Sequence, residues 1–276
     1  MLIKEIQYFF KRLFKIPNKI FLAVEIILFN LIFFINQRIK KIHVLQNKNF
    51  LELGLNRSLG LQKLDNLIKL YPIMKSPMNS EHQVFFSSLS EKNDFNPKNI
   101  LEIGTFDGIN AFILSKLFPN SKITTIDLES VNEEFTSFYN RNSSDKLEKF
   151  ILSRNAILKK CSNIQFLEKN SLNLILDNNC YDLIWIDGAH GYPILSIDIA
   201  NSIRMITKNG YILCDDIYTS NRIKSDNMYK SRAGLETLNA LKRANIIDFN
   251  LIFKRINYEN NSAPSNRKYV AIIKKL

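Results

Sequence analysis

The chain has 276 residues, with 38 basic against 26 acidic side chains and a formal charge of +12. That length gives one large domain or two small ones, and an apolar content of 46% with 23% charged residues argues against wholesale disorder and against a polytopic membrane protein. Three cysteines (Cys161, Cys180, Cys214) make neither a disulfide framework nor a paired zinc site, which fits a reducing compartment.

The charge is uneven. Residues 1–50 hold nine basic side chains against two acidic ones, Glu5 and Glu25, and so carry +7 of the +12. Leu2–Ile16 sets Ile3, Ile6, Phe9, Phe10, Leu13 and Phe14 at helical spacing among lysines and Arg12, and Pro17 ends the pattern. Ile20–Ile35 is then apolar except for Glu25 and Asn30. A helix of that length reaches about 24 Å, short of the ~30 Å hydrocarbon core, and Glu25 would sit near mid-depth. No small-residue cleavage site follows, since Asn36, Gln37 and Arg38 come next. Residues 1–45 are therefore expected to be a basic amphipathic and apolar helical segment attached to an anionic membrane surface, peripherally on the cytoplasmic face. A helical hairpin packed on protein and a true span are the alternatives.

Residues 46–98 read as a helical lead-in, with Leu64, Leu67, Ile68 and Tyr71 spaced for a helix. From Asn99 strand-length apolar runs alternate with helical stretches. The strands are Ile100–Ile103, Lys122–Ile126, Ile164–Leu167, Leu183–Ile186 and Tyr211–Cys214, and the helices Asn110–Phe118, Lys146–Lys159 and Pro193–Ile206. Such alternation predicts an α/β fold with a mostly parallel sheet over 99–276. Two late strands, Phe249–Ile256 and Lys268–Ile273, are joined by a polar loop too short for a crossover helix and are expected to pair antiparallel at the edge.

Ligands of such sheets bind at the carboxyl ends of the strands. After the first strand comes Glu102-Ile-Gly104-Thr105-Phe-Asp-Gly108, a tight turn into a helix start. It is neither the dinucleotide fingerprint nor a P-loop. The second strand ends in Asp127, where a carboxylate can accept hydrogen bonds from a ribose diol. The fourth ends in Asp187-Gly-Ala-His190 and the fifth in Asp215-Asp216. Three carboxylates at adjacent strand ends repel unless something neutralises them, and a hard divalent cation such as Mg²⁺ does so. The alternative is that one or two of them cap helices or bind backbone amides. Beside such a site His190 could serve as a general base near neutral pH.

Together these residues resemble the class I S-adenosylmethionine-dependent methyltransferases. Leu101–Gly108 is similar to the first motif of that family and Thr125-Ile-Asp127 to its acidic second-strand end. Ile186–Tyr192, followed by Asn209-Gly210 and Asp215-Asp216, resembles the branch labelled methyltransferase family 24. The resemblance covers about residues 80–276. It implies a Rossmann-like, doubly wound seven-stranded sheet with an antiparallel edge hairpin, and S-adenosylmethionine as cofactor. It also implies roles for individual residues. Gly104, Thr105 and Gly108 would lie against the methionine portion and Glu102 would organise that loop. Asp127 would hold the ribose, and Asn170 and Ser171 would border the adenine. The metal-dependent catechol-type relatives would place a divalent ion on Asp187, Asp215 and Asp216. Here Asp216 stands where they have an amide, and His190 where they have a lysine base.

The expected reaction is methyl transfer to a hydroxyl oxygen, with Asp187 and His190 catalytic. The segment Ile217–Arg232, bearing Arg222, Lys224, Lys230 and Arg232, reads as a basic substrate loop. It suits a small anionic or hydroxyl-rich acceptor such as a glycan or nucleotide-linked sugar. No specific nucleic acid is expected, and a homodimer is compatible with the sequence. A nucleic-acid methyltransferase is the competing enzyme, and a membrane-attached scaffold retaining the fold without catalysis is the competing non-enzyme.

Overall fold

The computed structural model describes residues 34, 39–75, 80–137, 141, 143–225, 228–256 and 267–276. The chain divides into two compact units, Met1–Val44 and Leu45–Leu276. The membrane-surface reading of residues 1–45 falls almost wholly outside the described residues. Among those described, no helix is long and apolar enough to cross a membrane.

The second unit begins with helical residues 45–52, then α1 (Arg57–Leu70) and α2 (Glu81–Ser90). Five strands follow: β1 (Asn99–Ile103), β2 (Lys122–Asp127), β3 (Ile164–Glu168), β4 (Tyr181–Ile186) and β5 (Ile206–Tyr218). Between them lie α3 (Ile109–Leu117), α4 (Glu133–Ser137), α5 (Ser144–Leu158) and α6 (Ile194–Met205). The unit closes with α7 (Ala233–Arg243), β6 (Ile247–Phe253) and β7 (Lys268–Lys275). The described strands form one seven-stranded sheet in the order β3-β2-β1-β4-β5-β7-β6. The pairs from β3 through β5 are parallel, and β7 runs antiparallel to both β5 and β6.

Why this sequence makes this sheet is visible in the burial. Central strands covered on both faces need unbroken apolar runs rather than alternation. Leu183, Ile184, Trp185 and Ile186 in β4 are all fully buried. Successive residues feed opposite layers: Ile100, Leu183, Trp185 and Leu213 face one core with α2 and α3, while Leu101, Ile184, Ile186 and Ile212 face the other with α6. The lead-in supplies much of the first core through Phe50, Leu64, Phe85 and Phe86. Burying aromatic side chains of this size contributes roughly 2–3 kcal/mol each.

The lead-in also fastens the far edge of the sheet. Arg57 binds Glu81 through two bonds of 2.7 Å. Glu81 then donates its backbone N–H to the carbonyl of Lys254 at 2.8 Å. Gln46 donates to the carbonyl of Phe253 at 3.1 Å and accepts from its N–H at 3.0 Å. A buried ion pair does more to fix geometry than to add stability, because desolvation offsets most of its Coulomb energy. What these bonds fix is the end of β6.

The strand order reverses between β1 and β4, so a crevice opens beyond their carboxyl ends. Every residue singled out at a strand end lies on that side of the sheet.

Candidate active site

The turn after β1 contains three left-handed residues, Gly104 (φ 99°), Phe106 (φ 48°) and Gly108 (φ 79°). At Gly104 glycine is required on two counts. A Cβ would lie 2.3 Å from the carbonyl oxygen of Asp187, and the backbone conformation disfavours any L side chain. The β1 and β4 ends thus meet directly at Gly104. Phe106 adopts that conformation without being glycine, an outlier of the sort found where a binding loop is held under strain. Its ring is part-exposed and packs 5.6 Å from that of Phe150.

Asp127 holds this turn in place. It accepts from the Phe106 and Leu128 amides at 2.9 Å each, and each oxygen keeps a lone pair for a further donor. Burial pushes its carboxyl upward, against those amides and the nearby Arg154 and Arg141. Glu102 is fully buried beneath the turn and accepts from Thr125 at 2.5 Å and Asn110 at 2.8 Å. Thr105 reaches the same network through Thr125, with their hydroxyls 2.6 Å apart. Thr105 therefore braces the turn from below. Asn170 caps the short helical turn Ser171–Leu176 by accepting from the Leu172 amide at 3.0 Å, with Ser171 on the side of Asp198.

Burial pushes Glu102 up to about 8 despite its two hydrogen bonds, and Asp198 up to about 7 despite Ser171. In the unfolded chain both ionise near their ordinary values of about 4. Their stabilising contribution is thus complete below about pH 4 and is lost as pH rises through about 7 to 8. The expected result is a thermal midpoint that falls between pH 5 and 8. Glu102 accounts for up to about 3 kcal/mol by pH 7. Melting curves of Glu102→Gln across that range should show a flatter slope, and an unchanged slope would remove Glu102 as its source.

Beyond β4 and β5 lies a denser cluster. The β5–β7 ladder shifts register between Cys214 and Ile217, and Asp216 takes a left-handed φ of 51°. In a regular strand consecutive side chains face opposite ways. This irregularity re-aims one of them, so Asp215 and Asp216 converge on a single ammonium. Lys254 binds Asp215 and, at 2.6 Å, Asp216, while Lys268 binds the other oxygen of Asp216. All of these except Lys268 are buried.

The charges follow from that geometry. Burial alone would strip the Lys254 proton, but Asp215, Asp216 and Asp187 outweigh it and hold the ammonium charged. Burial alone would likewise push Asp215 up, but Lys254 beside it holds its carboxyl well below the usual range. Asp187 moves the other way: burial and the negative Asp215 push it well up. About 35% of the Asp187 side chain remains open, so the charge of Asp215 weighs more than desolvation there.

His190 sits above this cluster, its Nε2 3.7 Å from Asp187 and 3.9 Å from Asp216. The segment between β5 and α7 fixes it, since the His190 backbone N–H donates to the carbonyl of Met228 at 2.9 Å. Burial lowers its pKa despite Asp216 and Asp215, so the ring is neutral at pH 7. Its Nδ1 is buried and has no hydrogen-bond partner. A neutral ring whose Nε2–H faces carboxylates presents Nδ1 as a lone pair, the form a proton acceptor needs.

Three of these residues escape a reading of the sequence. Lys254 and Lys268 lie on the edge hairpin, far along the chain from the aspartates they bind. His82, at the start of α2, lies in the electrostatic field of Asp215 and stacks 4.5 Å from Trp185. Burial holds it near 4, hence neutral. A charged residue inside the apolar run 249–256 is the one sequence signal that could have pointed to Lys254, because a buried lysine needs an acidic partner.

The Mg²⁺ expectation for Asp187, Asp215 and Asp216 does not fit this arrangement. Lysine ammoniums already take one Asp215 oxygen and both Asp216 oxygens, so the carboxylates are neutralised from within the chain and only Oδ1 of Asp215 is left without a partner. Among the described residues no group of three or more His, Cys, Asp or Glu side chains is placed to hold a metal ion.

Residues 101–217 match a family described as Methyltransferase domain. The matched span runs from β1 through β5 and includes both the Gly104 turn and the aspartates. Residues 101–217 are thus a methyltransferase domain, and the β6–β7 hairpin completes its Rossmann-like sheet. Solved structures similar to it include the S-adenosylhomocysteine-bound methyltransferase PaMTH1 of Podospora anserina, at 16% identity over 79% of this chain and 88% of that one, with a TM-score of 0.47. Another is the O-methyltransferase TomG of Streptomyces achromogenes, solved with S-adenosylmethionine, at 12% identity over 65% and 74% with a TM-score of 0.45. An O-methyltransferase family protein of Burkholderia thailandensis shares 12% identity over 86% and 71%, with a TM-score of 0.44. No curated protein matches the sequence.

Proposed function

We propose that this methyltransferase transfers its methyl group to a hydroxyl oxygen of a small polar acceptor, with His190 as general base. The observation that supports this best is the buried, neutral His190 whose Nδ1 lacks a partner. A general base needs a pKa near or below the working pH and an open lone pair in reach of the proton it takes. S-adenosylmethionine, when bound, supplies a methyl group on a positively charged sulfur.

Gly104 and Gly108 keep the turn after β1 clear of side-chain bulk, and Asp127 retains lone pairs for a ribose diol. The acceptor hydroxyl gives its proton to His190 Nδ1, and Asp216 and Asp215 stabilise the imidazolium that forms. Positioning of this kind supplies much of the rate once the reacting atoms stand about 3–3.5 Å apart.

The acceptor class rests on the loop between β5 and α7. Arg222, Lys224, Lys230 and Arg232 lie on it, and its Met228 carbonyl holds His190. A basic loop tied to the base suits an anionic, hydroxyl-rich molecule such as a glycan intermediate or a nucleotide-linked sugar. An acceptor assembled at a membrane would also suit the basic residues 1–45 as a peripheral attachment to an anionic surface.

The test is transfer of labelled methyl from S-adenosylmethionine to a panel of sugars, nucleotide-linked sugars, RNA and DNA. Label on a sugar oxygen is the expected result. Label confined to nucleic acid would favour the competing enzyme class. Cofactor uptake by calorimetry with no labelled product from any acceptor would favour a non-catalytic scaffold.

A further inference from the structure

The two acidic side chains at the end of β5 are neutralised from within the chain. Lys254 bridges Asp215 and Asp216, and Lys268 takes the remaining oxygen of Asp216. Two ammoniums bring the same charge that one divalent ion would bring to the same carboxylates. The arrangement is built rather than incidental. Lys254 is only 7% exposed, and its backbone N–H donates to the carbonyl of Lys268 at 3.0 Å, which locks the two lysines into register across the hairpin. Its own carbonyl accepts from Glu81, whose side chain Arg57 and Gln46 hold, and the preceding Phe253 is clamped by Gln46. On the opposite side, the shifted register and left-handed φ of Asp216 turn both carboxylates toward it.

We propose that Lys254, backed by Lys268, is the resident cation of this site, seated on Asp215 and Asp216 where a divalent metal would otherwise sit. A lysine ammonium has three donors, and two point at the aspartates. The third is left for the acceptor oxygen, which gains negative charge as its proton passes to His190. A fixed cation in a buried setting stabilises such charge without reorganising. Lys254 thus acts as a positioning and charge-stabilising residue, and the lead-in helices act on catalysis through it. The proposal rests on the methyl-transfer reading of the cleft.

The experiment titrates the full chain with Mn²⁺ by calorimetry, assays methyl transfer with and without a chelator, and repeats both in Lys254→Met and Lys254→Arg. Binding of S-adenosylhomocysteine is measured separately. The wild type is expected to show no Mn²⁺ site tighter than about 1 mM and no response to chelator. Lys254→Met should lose about 100-fold or more in turnover and gain a Mn²⁺ site on the oxygens it vacates on Asp215 and Asp216, while Lys254→Arg retains most of the rate. Stoichiometric Mn²⁺ uptake by the wild type, or loss of its turnover on chelation, overturns the proposal. So does a folded Lys254→Met variant that turns over normally or binds no more Mn²⁺ than the wild type. If Lys254→Met does not fold, the wild-type titration alone decides. Failure to bind S-adenosylhomocysteine would instead sink the methyl-transfer reading, and the Mn²⁺ titration would still judge the lysine.

Discussion

Gly104→Ala is expected to abolish cofactor binding and to lower stability by about 3–5 kcal/mol, the range of the most damaging single substitutions. Two costs combine. The left-handed φ of 99° strains any L residue, and the added methyl would overlap the Asp187 carbonyl, with its oxygen at 2.3 Å and its carbon at 2.7 Å. Both obstructing atoms are backbone, so no rotamer change relieves them, and the β1 and β4 ends must separate. The crevice between those ends is where a ligand of this fold lies. Gly188→Ala is the control. A Cβ there would meet nothing nearer than Ile103 Cγ2 at 3.6 Å and Asp198 Oδ2 at 3.9 Å, ordinary contact distances. The checks are thermal unfolding and calorimetry with S-adenosylhomocysteine on both variants. A midpoint lower by roughly 10 °C for Gly104→Ala alone is the expected outcome. Wild-type affinity in Gly104→Ala would mean that this turn is not where the cofactor binds.

How much of this was legible in the sequence depends on the range of the interaction. The strands and the helices between them follow from local apolar runs and turn residues, so β1 to β4 fall within a residue or two of their expected bounds. Tyr211–Cys214 is the exception, since β5 runs from Ile206 to Tyr218. Its early part contains Asn209-Gly210, a turn signal by local rules, and pairing with β4 and β7 overrides it. The candidate residues were legible because topology alone places them: Asp127 ends β2, Asp187 follows β4, and Asp215 and Asp216 come directly after the parallel pairing of β4 with β5 stops at Cys214. Their counter-charges were not. Lys254 and Lys268 resemble any solvent-facing lysine until the edge hairpin folds back beside β5. The sequence therefore shows an uncompensated acidic cluster, for which a metal ion is the natural remedy, and only the register shift at Asp216 reveals another. Phe106 was hidden for a similar reason, since nothing local marks a phenylalanine for a left-handed turn.

His190→Ala should lower turnover by 10²- to 10⁴-fold, the usual contribution of a positioned general base. Binding of S-adenosylhomocysteine should be unchanged, because no bond of the Gly104 turn or of Asp127 involves His190 among the hydrogen bonds described above. The pH profile separates a base from a merely structural ring. Burial lowers the pKa of His190, with Asp216 and Asp215 opposing, so the active, neutral ring loses its lone pair only as pH falls below the ordinary histidine value of 6.5. Wild-type turnover should therefore be level above pH 7 and decline on the acid side with a midpoint below 6.5. In His190→Ala that acid limb should vanish, leaving a low, flat rate. Should the limb persist unchanged, the titrating group lies elsewhere in the cluster, and His82 becomes the first residue to replace, since its ring is held neutral down to about 4 beside the same aspartate.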